Sequence, residues 1–373
     1  MNPLSEETLE NMNKFKYKYT NDSILYNKCL SPFLNKVVNY LPNTLAPNLI
    51  TFLSLMCNVI AFIISVNDGG FDFSHPLKRS TCFVIGLTQF LYQLLDNIDG
   101  KQARRTGNST PFGMPMDHGC DIFTNIFTAF NMSRLLLVGN DDYFSYSVFF
   151  GLLVGFYMMT YEDYKLGEMY FPPINGADEG NFAVVLIGIG SGIFGQDWAK
   201  FVIFSNKFPN LTIGRIIGGV IALGGLLAWF NLYFHTYKRK ECLENIKNFF
   251  DNMSFYSCII VPIIYIYYKK IFYENSKWLV ISNACLIFAR VTLDIQIKIA
   301  TMDSVKCNFM FIFSNLIFCA SIFIQNYVFL YYLLGFSALF QVSELIIFIY
   351  FRAKEITNHL GIKIFIIEPH EQI

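Results

Sequence analysis

Long apolar runs separated by short polar breaks dominate the chain. Leu49–Val66, Phe144–Thr160, Ile213–Phe234 and Val328–Tyr350 are each nearly free of charge. A helix of about 20 apolar residues crosses the hydrocarbon layer. Read along its whole length, the pattern predicts ten spans, approximately 48–66, 81–99, 111–135, 144–161, 182–200, 213–234, 253–271, 278–300, 306–324 and 328–350. Arg290, Asp294 and Lys298 interrupt the eighth, and the ninth is short. Ahead of the first, Leu30, Phe33, Leu34, Val37, Val38 and Leu41 recur at helical spacing among Lys28, Asn35, Lys36 and Asn39, with Pro32 placed as a first-turn proline. Too short and too polar to span, Ser23–Leu41 is expected to lie in the membrane interface. The expected fold class is therefore all-α: a polytopic membrane protein of about ten transmembrane helices with an amino-terminal interfacial amphipathic helix.

Four regions follow from this pattern. Residues 1–22 are a polar, loosely ordered amino-terminal segment, and 23–235 a membrane domain that includes the interfacial helix. Residues 236–350 hold the carboxy-terminal spans, and 351–373 a cytoplasmic tail. The first 20 residues are polar and contain no apolar core, so no cleaved signal peptide is expected and the first span is expected to act as the insertion signal.

Composition sharpens the class. Of the 373 residues 54% are hydrophobic and only 15% charged, against about 25% charged in an average soluble domain. Buried helices of a large soluble protein would need more polar faces than this. Net charge is zero, so no global field points to nucleic acid. The nine cysteines, among them Cys242 and Cys307, show neither metal-ligand spacing nor an even count, and are read as buried, space-filling thiols. With ten spans both termini share one side. Lys and Arg on that side outnumber those opposite by about two to one, which makes it cytoplasmic. The loop between spans two and three is then cytoplasmic as well.

That loop and its flanks read DNIDGKQARRTGNSTPFGMPMDHGCD, from Asp96 to Asp121. Asp96 and Asp99 are three apart at the end of span two, and Asp117 and Asp121 four apart at the start of span three. Each pair shares a helix face. Four carboxylates converging at one interface repel unless cations hold them, and hard oxygen ligands suit Mg2+, with Mn2+ the other option. Two such ions about 4 Å apart would clamp a diphosphate for in-line displacement at phosphorus. Gly100 and Gly113 allow backbone to approach a bulky ligand. Ala103 keeps one wall small, and Arg104 can fork onto phosphate oxygens.

The spacing D-x2-D-G-x2-A-R-x8-G-x3-D-x3-D resembles the full signature of the CDP-alcohol phosphotransferases, eight fixed positions at fixed separations. Tyr17–Lys18–Tyr19, Pro32–Phe33, Ala46–Thr51, Asp99–Thr106, Asp117–Asp121, Tyr161–Tyr164 and Asn175–Gly180 are similar to the eukaryotic choline/ethanolamine phosphotransferase branch. The likeness covers most of residues 17–200 and becomes diffuse beyond. It implies transfer of phosphocholine or phosphoethanolamine from CDP-choline or CDP-ethanolamine to diacylglycerol, releasing CMP, in a homodimer of the endoplasmic reticulum or Golgi with its site facing the cytoplasm. By the same resemblance Asp96, Asp99, Asp117 and Asp121 hold the metals. Asn48 and Arg104 contact the donor, and Gly100 and Gly113 shape its pocket. His118 is the expected base in this branch, whereas smaller relatives assign that role to the aspartate matching Asp121.

Two other readings compete. A CDP-diacylglycerol-dependent phosphatidyltransferase would use the same chemistry, but such relatives have about six spans. A cation transporter would show broken mid-membrane helices and internal repeats, which this chain lacks. Met114–Pro115–Met116 departs from the branch's usual Glu-Leu-Phe, and Ala289–Ile295 departs from its usual continuation. Glu179 is read either as a group that polarises a substrate hydroxyl or binds a head group, or as a polar loop residue. Arg290 and Asp294 are expected to form a structural ion pair.

Overall fold

The computed structural model describes residues 3–15, 17–140, 143–203, 207–237, 253–302 and 309–367. Cys242, Cys307 and the start of the ninth expected span lie outside these. The helices are α1 (Glu6–Lys14), α2 (Ser31–Val37), α3 (Pro47–Gly69), α4 (Arg79–Thr106), α5 (Gly113–Leu136), α6 (Phe144–Leu166), α7 (Asn181–Phe194), α8 (Asp197–Lys200), α9 (Ile213–Tyr237), α10 (Met253–Tyr268), α11 (Lys270–Thr301), α12 (Phe309–Ala320) and α13 (Tyr327–Leu360). Every expected span finds a helix. Six segments, α3, α6, α7 with its leading turn (Gly176–Phe194), α9 through Phe230, α11 and α13, are long and apolar enough to cross a membrane. The chain is an all-α polytopic membrane protein.

The boundaries differ where local chemistry overrides hydropathy. The second span continues as helix through the polar motif to Thr106, where Gly107 (φ 67°) turns the chain and Asn108 N–H closes onto the Ala103 carbonyl. The fifth stops at Phe194 because Gly195 takes φ 87°, and Gln196 then bonds Leu77 N and the Arg134 and Leu135 carbonyls. The tenth runs ten residues past Tyr350, since Ile356 is buried and Arg352 pairs with Glu355 at 2.7 Å. Within the amino-terminal segment, Ser5 caps α1, and Leu9 and Met12 bury against Phe112, Ala300 and Ile356.

The interfacial element is one helical run, a π-helical turn at Tyr26–Leu30 leading into α2. The wider turn falls just before Pro32, whose missing N–H would break an ordinary ladder. Leu30 and Leu34 pack on Ile50 of α3 and Ile98 of α4. Its polar side is pinned to the end of α4. Lys101 Nζ bonds Ser31 Oγ (3.0 Å) and Asn35 Oδ1 (2.8 Å), Gln102 donates to the Pro42 and Leu45 carbonyls, and Arg105 to Leu41 O. A three-residue parallel pair, β1 (Tyr19–Asn21) with β2 (Met169–Phe171), ties this segment to the α6–α7 loop.

Helix α4 packs between α3 and α7, and α5 between α3, α6 and α11. Small residues let α4 and α7 touch backbone to backbone: a Cβ on Gly188 would lie 2.6 Å from the Gly86 Cα. This close packing fixes the height of α4, and with it the position of its acidic end beside α5.

Candidate active site

The six residues Gly107–Phe112 join α4 to α5 and bring the two acidic helix ends side by side. Asp96, Asp117 and Asp121 each turn a carboxylate oxygen inward, and these oxygens lie within 4.8 Å of one another. Asp96 stands beside Asp121, and Asp99 beside Asp117. Asp99 is oriented differently from the other three: Thr51 Oγ1, from the first turn of α3, donates to its Oδ2, and Gly100 N–H to its Oδ1. Each oxygen keeps a second lone pair, so Asp99 can still serve as a ligand held by its neighbours. Tyr92, one turn before Asp96, donates to Asp121 Oδ1 at 2.8 Å.

Such a group of carboxylates fits a divalent cation. Asp117 Oδ1 is buried and accepts no hydrogen bond, a costly state for an anionic oxygen unless a cation meets it. All-oxygen donors favour a hard ion of the magnesium type.

Around this cluster, Arg104 stands one turn beyond Gly100 on the same helix. A Cβ on Gly100 would lie 3.5 Å from Arg104 Nη1, so the glycine leaves room for the guanidinium. Lys101, Gln102 and Arg105 all serve the interfacial helix. Arg104, by contrast, is exposed, and its guanidinium makes no hydrogen bond or ion pair among the described residues. Gly113, at the head of α5, has only Thr110 Oγ1 near, 4.0 Å from where a Cβ would be. Asn48 sits in the first turn of α3, where its Nδ2 donates to the Ile364 carbonyl at 3.0 Å. The carboxy-terminal segment beyond α13 therefore crosses this edge, and Phe365 packs on Phe52. Met114 and Met116, which replace the branch's Glu and Phe, pack in the apolar cluster that receives Ile362 and Ile364.

His118 is buried between Asp117 and Gly119. Its Nδ1 lies 3.2 Å from Gln296 Oε1 and its Nε2 3.4 Å from the Tyr17 hydroxyl. Burial, with the nearby Asp163 adding to it, pushes the Tyr17 phenol above its ordinary pKa, so it remains a proton donor. Asp163 is itself buried, and its Oδ2 has no hydrogen-bond partner.

Sequence reading missed Thr51, Tyr92 and Gln296 as individual site residues. Thr51 and Tyr92 differ from ordinary core residues only in standing one helical turn from a motif position or beside Asn48. Gln296 gave a weak signal, as an amide in an apolar span. Glu179, by contrast, is occupied: its Oε1 accepts from Ser23 Oγ (2.8 Å) and Leu25 N (3.0 Å), its Oε2 from Asn175 N (3.0 Å). Arg290 and Asp294 pair as expected, at 3.3 Å.

Comparison with known proteins agrees with this geometry. Residues 44–162 match the family model for CDP-alcohol phosphatidyltransferase. The chain is 32% identical over 261 residues to an uncharacterised CDP-alcohol phosphatidyltransferase class-I family protein 2 of Dictyostelium discoideum, covering 69% of this chain and 58% of that one. It is 32% identical over 191 residues to choline/ethanolaminephosphotransferase 1 of Arabidopsis thaliana, covering 50% and 47%. To ethanolaminephosphotransferase 1 of Mus musculus it is 28% identical over 323 residues, covering 82% and 78%. The chain spans little more than half the length of the Dictyostelium relative. The matched segment contains the four aspartates and the helices that carry them, and the chain carries a CDP-alcohol phosphatidyltransferase family domain.

Proposed function

We propose that the protein is a diacylglycerol choline/ethanolamine phosphotransferase. It moves phosphocholine, phosphoethanolamine or both from the CDP-linked donor to diacylglycerol, giving the phospholipid and CMP. The observation that carries this reading is the junction of α4 and α5, where carboxylates converge beside one unengaged arginine. The relatives named for choline and ethanolamine transfer support the choice of alcohol.

In this reading Asp96, Asp99, Asp117 and Asp121 hold two divalent ions, Mg2+ or Mn2+. Such ions, when bound, neutralise the diphosphate and the departing CMP. Asn48 and Arg104 grip the donor, and Gly100 and Gly113 leave it space. Asn48 keeps its Oδ1 and its second Nδ2 hydrogen for the donor while bonded to the Ile364 carbonyl. The diacylglycerol hydroxyl enters from the bilayer beside His118. Its oxygen bonds to the β-phosphorus, the bond from that phosphorus to the bridging oxygen breaks, and CMP leaves. His118 Nε2 takes the hydroxyl proton. Thr51 and Tyr92 keep Asp99 and Asp121 aimed. We place the protein in the endoplasmic reticulum or Golgi membrane as a homodimer, with the site on the cytoplasmic face.

A purified-protein assay with diacylglycerol and labelled CDP-choline or CDP-ethanolamine, run in parallel, tests this. Incorporation of either label supports the reading. Turnover only with CDP-diacylglycerol and inositol overturns it. His118→Gln should depress kcat far more than it raises the donor KM, and normal turnover in that variant would remove His118 as base.

A further inference from the structure

We infer that Gln296 is a positioning residue: it holds His118 with the proton on Nδ1 and the lone pair on Nε2. This rests on the assignment of His118 as base. A neutral imidazole can accept a proton only at its unprotonated nitrogen, and the partner of the other nitrogen decides which one that is. Gln296 Oε1 lies 3.2 Å from His118 Nδ1, and Gln296 Nε2 donates to Thr160 Oγ1 at 3.3 Å. Gln296 and Thr160 are almost fully buried. A buried amide is costly unless bonded at both ends, and here three helices meet on it: His118 from α5, Thr160 from α6 and Gln296 from α11.

The surrounding packing makes the arrangement rigid. A Cβ on Gly119 would lie 3.3 Å from Leu293 Cδ2, so α5 and α11 are in contact one residue from the histidine and one turn from the glutamine. On the other side, the Tyr17 ring meets the imidazole edge-on, with centroids 5.3 Å apart. The Tyr17 hydroxyl is 3.4 Å from Nε2 and donates to Met169 Sδ at 3.2 Å. The phenol therefore has a second acceptor to which it can turn its proton when a substrate hydroxyl reaches Nε2. Without the Gln296 acceptor neither the tautomer of the ring nor its orientation towards the substrate would be held.

The test uses full-length protein in nanodiscs, measuring kcat, donor KM and melting temperature for Gln296→Met, Gln296→Glu, His118→Ala and the Gln296→Met/His118→Ala pair. Gln296→Met, which keeps the length but loses the acceptor, should lower kcat about 10- to 100-fold with donor KM unchanged, the range typical of groups that orient an active residue. Gln296→Glu should recover most of that loss, because a carboxylate accepts from Nδ1–H yet offers no N–H. In the His118→Ala background Gln296→Met should add nothing. Full kcat in Gln296→Met with His118→Ala inactive would sink this inference and leave the base assignment standing. So would equal losses in the Met and Glu variants, which would mean that the amide donates to the ring or merely packs. Normal turnover in His118→Ala would instead remove the base assignment and this inference with it.

Discussion

Helices α11 and α13 bury a set of charges that neutralise one another. Arg290 Nε meets both oxygens of Glu344 at 3.1 Å, its Nη1 meets Asp294 at 3.3 Å, and Lys298 meets the other Asp294 oxygen at 3.4 Å. The guanidinium also stacks over Phe348, 3.6 Å from the ring centroid. Two cations face two anions. At the junction of α4 and α5, Asp96, Asp117 and Asp121 crowd together with Asp99 beside them, and the nearby cation, Arg104, is exposed beside Gly100 with no ion pair among the described residues. Both regions place carboxylates in a membrane bundle, where they are expensive. The first set supplies its own counter-charge and behaves as glue; the second leaves it to a ligand. The number of acidic groups is the same kind of signal in both, and charge balance tells them apart.

The strongest way to break this contrast is to neutralise one member of the unbalanced set. Asp117→Asn or Asp121→Asn should cut turnover about 1000-fold or more, equivalent to about 4 kcal/mol of lost transition-state stabilisation. The fold should hold, because removing one of four like charges relieves repulsion. Wild-type protein should gain melting temperature when Mg2+ is added after chelation, and the variants should gain less. A wild type whose activity and melting temperature ignore chelation would defeat the comparison.

The balanced set should respond the other way. Arg290→Met leaves Glu344 buried without its partner, at a cost of about 3–5 kcal/mol in stability. Denaturation in micelles would register that loss, while kcat per folded molecule stays near wild type. Arg290→Met with Glu344→Leu should regain most of the stability, since Asp294 keeps Lys298. A large kcat defect in well-folded Arg290→Met would place the network in the catalytic machinery instead.

The contrast also explains what was legible in the sequence. Hydropathy located a helix at each of the ten expected spans, six of them long and apolar enough to cross a membrane, because a spanning backbone must satisfy its own polar groups in lipid. It misplaced the ends of α4, α7 and α13, where Gly107, Gly195 and Gly361 stop the helix irrespective of polarity. The four aspartates stood out because carboxylates at membrane helix ends are rare and their spacing was regular. Glu344, the main partner of Arg290, escaped notice because it lies 54 residues away. Gln296, Thr51 and Tyr92 escaped for a related reason: they act through partners on other helices, and sequence separation carries no record of that.

A smaller effect sharpens the role of the exposed cation. Arg104→Ala should raise the donor KM about 10- to 100-fold, the loss expected for charge-assisted hydrogen bonds worth about 1.5–3 kcal/mol, with kcat little changed. Lysine should restore only part of it, having no planar fork. Arg105→Ala is the internal control. Its guanidinium bonds the Leu41 carbonyl and Gln102, so its loss should lower melting temperature and leave donor KM alone. Identical KM defects in both variants would mean that Arg104, too, acts by holding the interfacial helix.

The least effect belongs to Glu179, whose place in the balance is decided by its hydrogen bonds. It lies at the edge of the membrane domain, where a free carboxylate could have polarised a substrate hydroxyl or bound an ammonium head group. Both of its oxygens are instead engaged by Ser23, Leu25 and Asn175, which join the head of the interfacial run to the loop before α7. Glu179→Ala should therefore cost about 1–3 kcal/mol of stability, the net worth of its three hydrogen bonds at a partly exposed position. It should leave the ratio of choline to ethanolamine transfer and both kcat values unchanged. If that ratio moved while the melting temperature held, Glu179 would belong with the aspartates as a ligand-facing charge.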